Sequence, residues 1–189
     1  MNPLLSFINT NVSKLSGETL GILEEAFVRR KVKKGERFLS QGETCRHLYF
    51  LAEGICRSYS LKEDIDITTW FSFKDEFFTS FTSFFPDEPS YENMEMLTDG
   101  IVYQISKAVF DEIRTQSIEI ERVINHFSLL YTIQLEKRLF LIQTYTAREK
   151  YELLLQQEPH LVQFVSNKHL ASYLGITRET LSRIRSSIN

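Results

Sequence analysis

The stretch Ser166-Asn-Lys-His-Leu-Ala-Ser-Tyr-Leu-Gly-Ile-Thr-Arg-Glu-Thr-Leu-Ser-Arg-Ile-Arg185 decides how the chain is read. Ser166 is suited to accept an N–H from an opening helical turn, and Leu170 and Leu174 fall one turn apart on one face. Gly175 offers the left-handed residue that closes a helix without a Cβ clash, Ile176 follows as an apolar plug, and Thr177 caps a second helix. In that helix Leu181, Ile184 and Ile188 share one face, Glu179, Ser182, Arg183 and Ser186 lie opposite, and Arg178 flanks them. A helix-turn-helix needs this arrangement, with long polar side chains at the start of the second helix, where they reach the major groove. Arginine can donate two parallel bonds to guanine and glutamate can accept from cytosine. An αα-corner with a merely solvated charged face has the same spacing, so spacing alone does not choose.

The string Gly175-Ile-Thr-Arg-Glu-Thr-Leu-Ser-Arg-Ile184 closely resembles the recognition helix of the Crp/Fnr superfamily, the catabolite-activator type of bacterial transcription regulator. The matching positions are Arg178, Glu179, Thr180 and Arg183. The resemblance implies that the two arginines and the glutamate read bases and that Thr180 meets phosphate. Ser182 on the same face and Lys168 on the preceding helix complete the candidate DNA-binding set.

The formal net charge of −3 looks wrong for a DNA binder until it is divided along the chain. From Tyr145 onward six basic residues face four acidic ones, so this end carries +2 and the remainder −5. A mildly basic end on an acidic body suits a protein that meets DNA with one part only. The two cysteines, Cys45 and Cys56, are too few for a thiolate-held iron–sulfur cluster and lack zinc spacing; both are expected on strands as small apolar residues, with a disulfide as the alternative. No apolar run approaches the length of a membrane span, and the first residues lack the basic start and apolar core of a signal peptide, so a cytoplasmic protein without membrane contact is expected.

In chain order, Asn2 to Phe27 has helical spacing through Leu20, Leu23 and Phe27. From Val28 to about Ile105 short β-prone runs, Arg37 to Ser40, Leu48 to Ala52, Ile55 to Ser60, Ile65 to Phe73 and Ile101 to Ile105, are cut by turns at Gly35, Gly42 and Gly54. Regularly spaced short strands point to a sandwich or jelly roll. The turn glycines also resemble those of the Crp/Fnr effector domain, a β-roll related to cyclic-nucleotide-binding domains. A short helix over Ser106 to Arg114 precedes a long one from Ser117 to Thr144, whose stripe Ile120, Ile124, Phe127, Tyr131 and Leu135 is the expected dimer seam. A second set, Val123, Leu130, Ile133, Phe140 and Leu141, lies beside it, so one face is expected to pack on the β-roll and the other on a second copy. Gln134 and Arg138 interrupt the seam. The resemblance agrees, since the family's long central helix is its dimer axis. Another helix, with Tyr151, Leu154 and Leu155 as its buried face, runs to Gln157 and stops at Pro159, and Leu161 to Val165 is read as one strand. The family usually carries a longer hairpin wing there, so wing contacts to phosphate are not carried over.

The expectation is an α+β fold: an effector-type β-roll with flanking helices over residues 1–115, a long dimerisation helix over 116–144, and a helix-turn-helix DNA-binding domain over 145–189. The partners implied are double-stranded DNA, a second copy and RNA polymerase, with no catalysis and no cofactor. Within the roll Trp70, Phe71, Phe73, Phe77, Phe78, Phe81, Phe84 and Phe85 crowd together, either as core filling or as an apolar effector pocket. The candidate pocket residues are Arg57, Phe77, Phe78, Thr79, Ser80 and Phe81.

Cyclic-nucleotide-binding relatives hold the phosphate with an arginine in a short cassette. The corresponding stretch, Asp75 to Glu92, contains no arginine or lysine and places Asp87, Glu88 and Glu92 where that arginine is expected. Thr79, Ser80, Thr82 and Ser83 remain as neutral donors, which replace a guanidinium poorly. Cyclic AMP and cyclic GMP are therefore not expected to bind, any effector is neutral or apolar, and Arg57 is the one strand arginine able to reach the pocket from its other wall. Two competing classes are weighed. A metal-dependent jelly-roll enzyme needs clustered ligands, whereas His47, His126, His160 and His169 are dispersed, so no metal site is expected. A sensor or interaction module of the same fold that no longer binds DNA is opposed by Arg178, Glu179 and Arg183 standing together.

Overall fold

The computed structural model describes residues 2–63, 65–159 and 161–188. His160 lies outside them. The helical lead-in is two helices, α1 (Pro3–Asn11) and α2 (Gly17–Ala26), because Ser16 accepts the Thr19 N–H and starts the second one afresh. Strands β1 (Val28–Val32), β2 (Arg37–Leu39), β3 (His47–Glu53), β4 (Cys56–Lys62), β5 (Ile65–Ser72), β6 (Glu76–Phe78), β7 (Asn93–Met96) and β8 (Gly100–Ser106) form two four-stranded antiparallel sheets, ordered β1-β8-β3-β6 and β2-β7-β4-β5. Strands β1, β6 and β7 fall outside the runs picked from sequence; the last two are short and carry charged or amide residues that dilute the β signal. The expected turn glycines do carry positive φ, +80° at Gly35, +90° at Gly42 and +108° at Gly54. Gly100 is required for another reason, since a Cβ there would stand 2.1 Å from the Glu53 carbonyl oxygen.

The core of the roll gathers Phe50, Leu51, Phe84, Met94, Val102 and Ile105 between the sheets with Leu4 and Ile8 of α1. A short helix α3 (Phe81–Phe84) lies between β6 and β7, and α4 (Lys107–Ile113) follows β8 with Ser106 as its cap. Cys45 precedes β3 rather than lying on it, while Cys56 opens β4; both are buried free thiols, and burial pushes the Cys56 thiol up.

The long helix α5 (Ile118–Thr144), capped by Ser117, spans about 40 Å at 1.5 Å per residue. The N-terminal part of the first stripe, where the sequence expectation put the dimer seam, meets the roll, and Val123 of the second set joins it there. Ile120 is buried in the roll's own core, Ile124 and Phe127 pack against that core, and Tyr131 stacks on Phe81 at 3.8 Å. Of the expected dimer seam only Leu135 is exposed; Ile118, Leu129, Leu130, Ile133, Leu139, Phe140 and Ile142 are the other large apolar side chains that α5 leaves open. Periodicity identifies two stripes but not which of them meets the roll.

Helix α6 (Ala147–Gln157) opens with a capping box in which Thr146 and Glu149 exchange bonds. Leu161 to Val165 is not a strand: α7 (Leu161–Phe164) occupies it, with the Val165 N–H donating to the Leu161 carbonyl at 2.9 Å and both side chains buried on one side. The i, i+4 spacing of these two residues outweighs the β-prone composition. Helices α8 (Asn167–Leu174) and α9 (Arg178–Ile188) close a second core of Tyr151, Leu154, Leu161, Leu170, Leu174 and Leu181, to which the roll itself adds Ile55 and Phe71. Among the described residues no helix is long and apolar enough to cross a membrane.

Candidate nucleic-acid interface and effector cavity

Helix α8 begins where Ser166 accepts the His169 N–H at 3.3 Å and ends at Gly175, whose φ of +69° lets the Gly175 and Ile176 N–H groups bond to Ser172 and Ala171 carbonyls. Thr177 accepts the Thr180 N–H at 3.2 Å and starts α9. Leu181 is fully buried and Ile184 half-buried, which turns Arg178, Glu179, Ser182 and Arg183 together into solvent. Asn167, Arg178, Glu179 and Ser182 line an open depression at the start of α9. The Glu179 carboxylate is held below its usual range, first by its own backbone N–H and then by the Thr177 hydroxyl, so it is an ionised acceptor. Thr180 is engaged locally, its hydroxyl accepting from the Arg183 guanidinium at 3.2 Å. Lys168 sits on the other side of the unit, with its ammonium 3.7 Å from Asp66 of the roll.

The second candidate site is a cavity of about 370 Å³ between the roll, α1, α3 and α5. Phe77, Phe78, Thr79 and Phe81 line it; Ser80 and Arg57 do not. Ser80 is buried behind the wall, its hydroxyl 2.9 Å from that of Ser90. A β-bulge shapes the opposite wall: Ser58 pairs with Trp70 and Tyr59 with Thr68, so Thr69 is the extra residue and both Thr69 and Trp70 border the cavity. The Glu92 carboxylate accepts from the Thr69 hydroxyl at 3.1 Å, and burial raises its proton affinity despite that bond. Glu76 accepts the Phe73 N–H at 3.0 Å, and burial pushes it up to about 7. Arg138 is the only basic residue of the lining, and Tyr173 of α8 occupies it, through the carbonyl at 3.0 Å and the ring face at 3.8 Å.

Arg57 points away from the cavity because its strand neighbour Ser58 points into it. Its fully buried guanidinium lies over Tyr59, pairs with Asp66, bonds Thr68 at 3.0 Å and Glu95 at 3.3 Å, and donates to His169 Nε2 of α8 at 2.8 Å. Burial first, and then the Arg57 charge, lowers the His169 pKa, which leaves the neutral imidazole as the acceptor. Strand β5 is a sheet edge, and α8 covers it: Ser172 accepts the Thr68 N–H at 2.8 Å and donates to the Asp66 carbonyl at 3.0 Å. Asp66, Ser172 and Tyr173 escape sequence reading. The one hint is a charged residue inside the β-prone run Ile65-Asp-Ile67, and nothing local names its partner. Among the described residues no three His, Cys, Asp or Glu side chains are grouped to hold a metal.

Residues 29–117 match the family model described as the cyclic nucleotide-binding domain. FixK2 from Bradyrhizobium japonicum superposes with a TM-score of 0.72 at 21% identity, over 86% of this chain and 84% of that one. The regulator CLP of Xanthomonas campestris, described as c-di-GMP-responsive, also gives 0.72, at 15% identity over 92% and 91% of the two chains. A protein assigned to the Crp/Fnr family of transcriptional regulators in Eubacterium rectale gives 0.71 at 17% identity, over 92% and 83%. No curated protein sequence matches at a significant level. Residues 29–117 thus resemble the cyclic nucleotide-binding domain, and along most of its length the chain has the fold of the Crp/Fnr regulators.

Proposed function

We propose that the protein is a homodimeric, sequence-specific DNA-binding transcription regulator without catalytic activity. Its β-roll (residues 1–115) is the effector-type domain, residues 116–144 form the dimerisation helix, and residues 145–189 the DNA-binding domain, with α8 and α9 as its helix-turn-helix. The observation that carries this is the joint exposure of Arg178, Glu179, Ser182 and Arg183 on α9, over a buried Leu181 and beside the left-handed Gly175. Helix α9 enters the major groove, where the two arginines grip guanines and Glu179 accepts from cytosine. Thr180 and Lys168 supply phosphate contacts once their bonds to Arg183 and Asp66 yield. Relatives described as a transcriptional regulator of the Crp/Fnr family and as a global regulator linked to virulence gene expression support the reading at the level of fold. The protein works in the cytoplasm and addresses RNA polymerase from its bound operator.

Dimerisation uses the open face of α5 formed by Leu129, Leu130, Ile133 and Phe140, because exposed apolar side chains along one face are what a second identical helix buries. A two-fold axis there sets the two α9 helices about 34 Å apart and requires an inverted-repeat operator. The roll does not take cyclic AMP or cyclic GMP: its lining offers three carboxylates, Asp75, Glu76 and Glu92, and its one guanidinium is already engaged by Tyr173. The deciding experiment is selection of binding sites from random DNA followed by a gel shift with the selected site and with scrambled DNA. A palindromic site bound far more tightly than the scrambled one is expected. Equal binding, or none at low salt, would leave a sensor or interaction module of the same fold.

A further inference from the structure

The cavity beside α5 holds an electrostatic mismatch that the sequence reading of a neutral or apolar occupant does not resolve. Glu92 reaches it as a carboxylate held only by hydroxyl groups: Thr69 donates at 3.1 Å and Ser80 stands on the other side. The other charged groups of the wall have partners or open positions. Glu76 is satisfied by the Phe73 amide, Arg138 by the Tyr173 carbonyl and ring with one face of Trp70 at 6.0 Å, and Asp75 sits in a turn with φ of +69°. Aromatic rings line the same cavity as Glu92. The Trp70 and Tyr131 rings lie 6.0 Å apart, Tyr131 stacks on Phe81, and burial first and then the Glu92 charge raise the proton affinity of the Tyr131 hydroxyl. The bulge at Thr69 has a consequence here, since it turns two consecutive residues toward the same space, a hydroxyl for the carboxylate and an indole for its surroundings.

A carboxylate removed from water without a counter-charge is unfavourable, and π faces attract cations through their quadrupole. We propose that the cavity binds a small organic cation with an apolar body, an aryl- or alkylamine, whose ammonium group rests on the Glu92 carboxylate beside the Trp70 and Tyr131 rings. The proposal rests on the reading of the roll as an effector domain. An anion meets Glu92 and Glu76 with no free guanidinium, and a neutral molecule leaves Glu92 either charged without a counter-ion or holding a proton, whereas a cation supplies the counter-charge. The apolar wall, formed in part by Phe77, Phe81 and Phe127, takes the body of the ligand, and a cavity of about 370 Å³ is large enough for a ring and a short chain.

Trp70 is the only tryptophan in the chain, so its fluorescence reports the cavity directly. The test titrates the full-length protein, without DNA, with three probes of similar body: 2-phenylethylamine, 2-phenylethanol and 3-phenylpropanoate. Saturable binding of the amine about tenfold or more tighter than the alcohol is expected, as a charge-assisted bond implies, with the carboxylate weakest. Glu92→Gln should bring the amine to the level of the alcohol and leave the alcohol unchanged. Preference for the alcohol or the carboxylate, no saturation with any probe, or an amine preference that survives Glu92→Gln would each overturn the proposal. If Glu92→Gln does not fold, the three-probe comparison on the wild type still decides. The regulator reading fails separately, through the gel shift, so amine binding without DNA binding overturns only that reading, and the reverse outcome only this one.

Discussion

Arg178 and Arg183 are exposed on α9, whereas Arg57 and Arg138 are withdrawn into contacts within the molecule, and this difference sets what each substitution should do. Arg178→Ala or Arg183→Ala should leave stability nearly unchanged while costing about 1 to 3 kcal/mol of specific binding and relaxing preference at particular base pairs. Lys168→Ala should weaken specific and random DNA alike, and by less. Competition binding against single-base operator variants checks this, and a uniform loss across all variants for every substitution contradicts base reading. Glu76 carries a second residue-scale prediction. Its carboxyl is raised to about 7 in the folded protein, so the folded state holds a proton that the unfolded chain releases near its ordinary value of about 4.5. Its stabilising contribution is therefore complete below about 4.5 and is lost as pH rises through 7, a change on the order of 3 kcal/mol. Glu76→Gln keeps an acceptor for the Phe73 N–H and should flatten that loss, measured as urea midpoints between pH 5 and 8. His169 works in the opposite sense, since its lowered pKa makes its contribution complete above about 6.5 and lost as pH falls below it. Glu76→Gln and the wild type must therefore be compared at each pH rather than at one.

At the scale of elements α5 is the most instructive. It uses Ile120, Val123, Ile124 and Phe127 to hold the roll and leaves Leu130, Ile133 and Phe140 open further along. Ile133→Asp should therefore produce a folded monomer, because a carboxylate buried in a helix pair loses hydration without gaining a partner. Phe127→Asp should instead unfold the roll, since that ring lies 4.6 Å from Phe77 and 5.9 Å from Phe7. Sedimentation and circular dichroism on both variants separate the two roles. A wild type that is monomeric at micromolar concentration contradicts the dimer scheme outright.

For the whole molecule the decisive feature is the docking of α8 on the edge of β5, where Arg57, Asp66, Thr68 and Arg138 from the roll and α5 meet His169, Ser172 and Tyr173. The strand arginine that sequence alone allowed into the pocket is spent on this contact. Cyclic AMP and cyclic GMP should therefore show no binding heat at micromolar concentrations in calorimetry. Micromolar binding would mean that Arg138 leaves Tyr173 to take the phosphate, and Arg138→Ala would then abolish it.

The sequence by itself determined the order and type of most elements, the helix pair at its C-terminal end, and the absence of a basic residue between Asp75 and Glu92. Those features are local: caps, glycines at positive φ and apolar periodicity act over a few residues, so they can be read without knowing what lies opposite. Several expectations failed where local signals conflict or say nothing about partners. Leu161 to Val165 has the composition of a strand but the spacing of a helical turn, and burial of both end residues settles it. The face of α5 that meets the roll, the outward aim of Arg57 and the bulge that turns Thr69 and Trp70 together were decided only by tertiary structure. Each depends on contacts between residues far apart in the chain, where packing volume, charge pairing and strand register select one partner among several that the sequence equally permits.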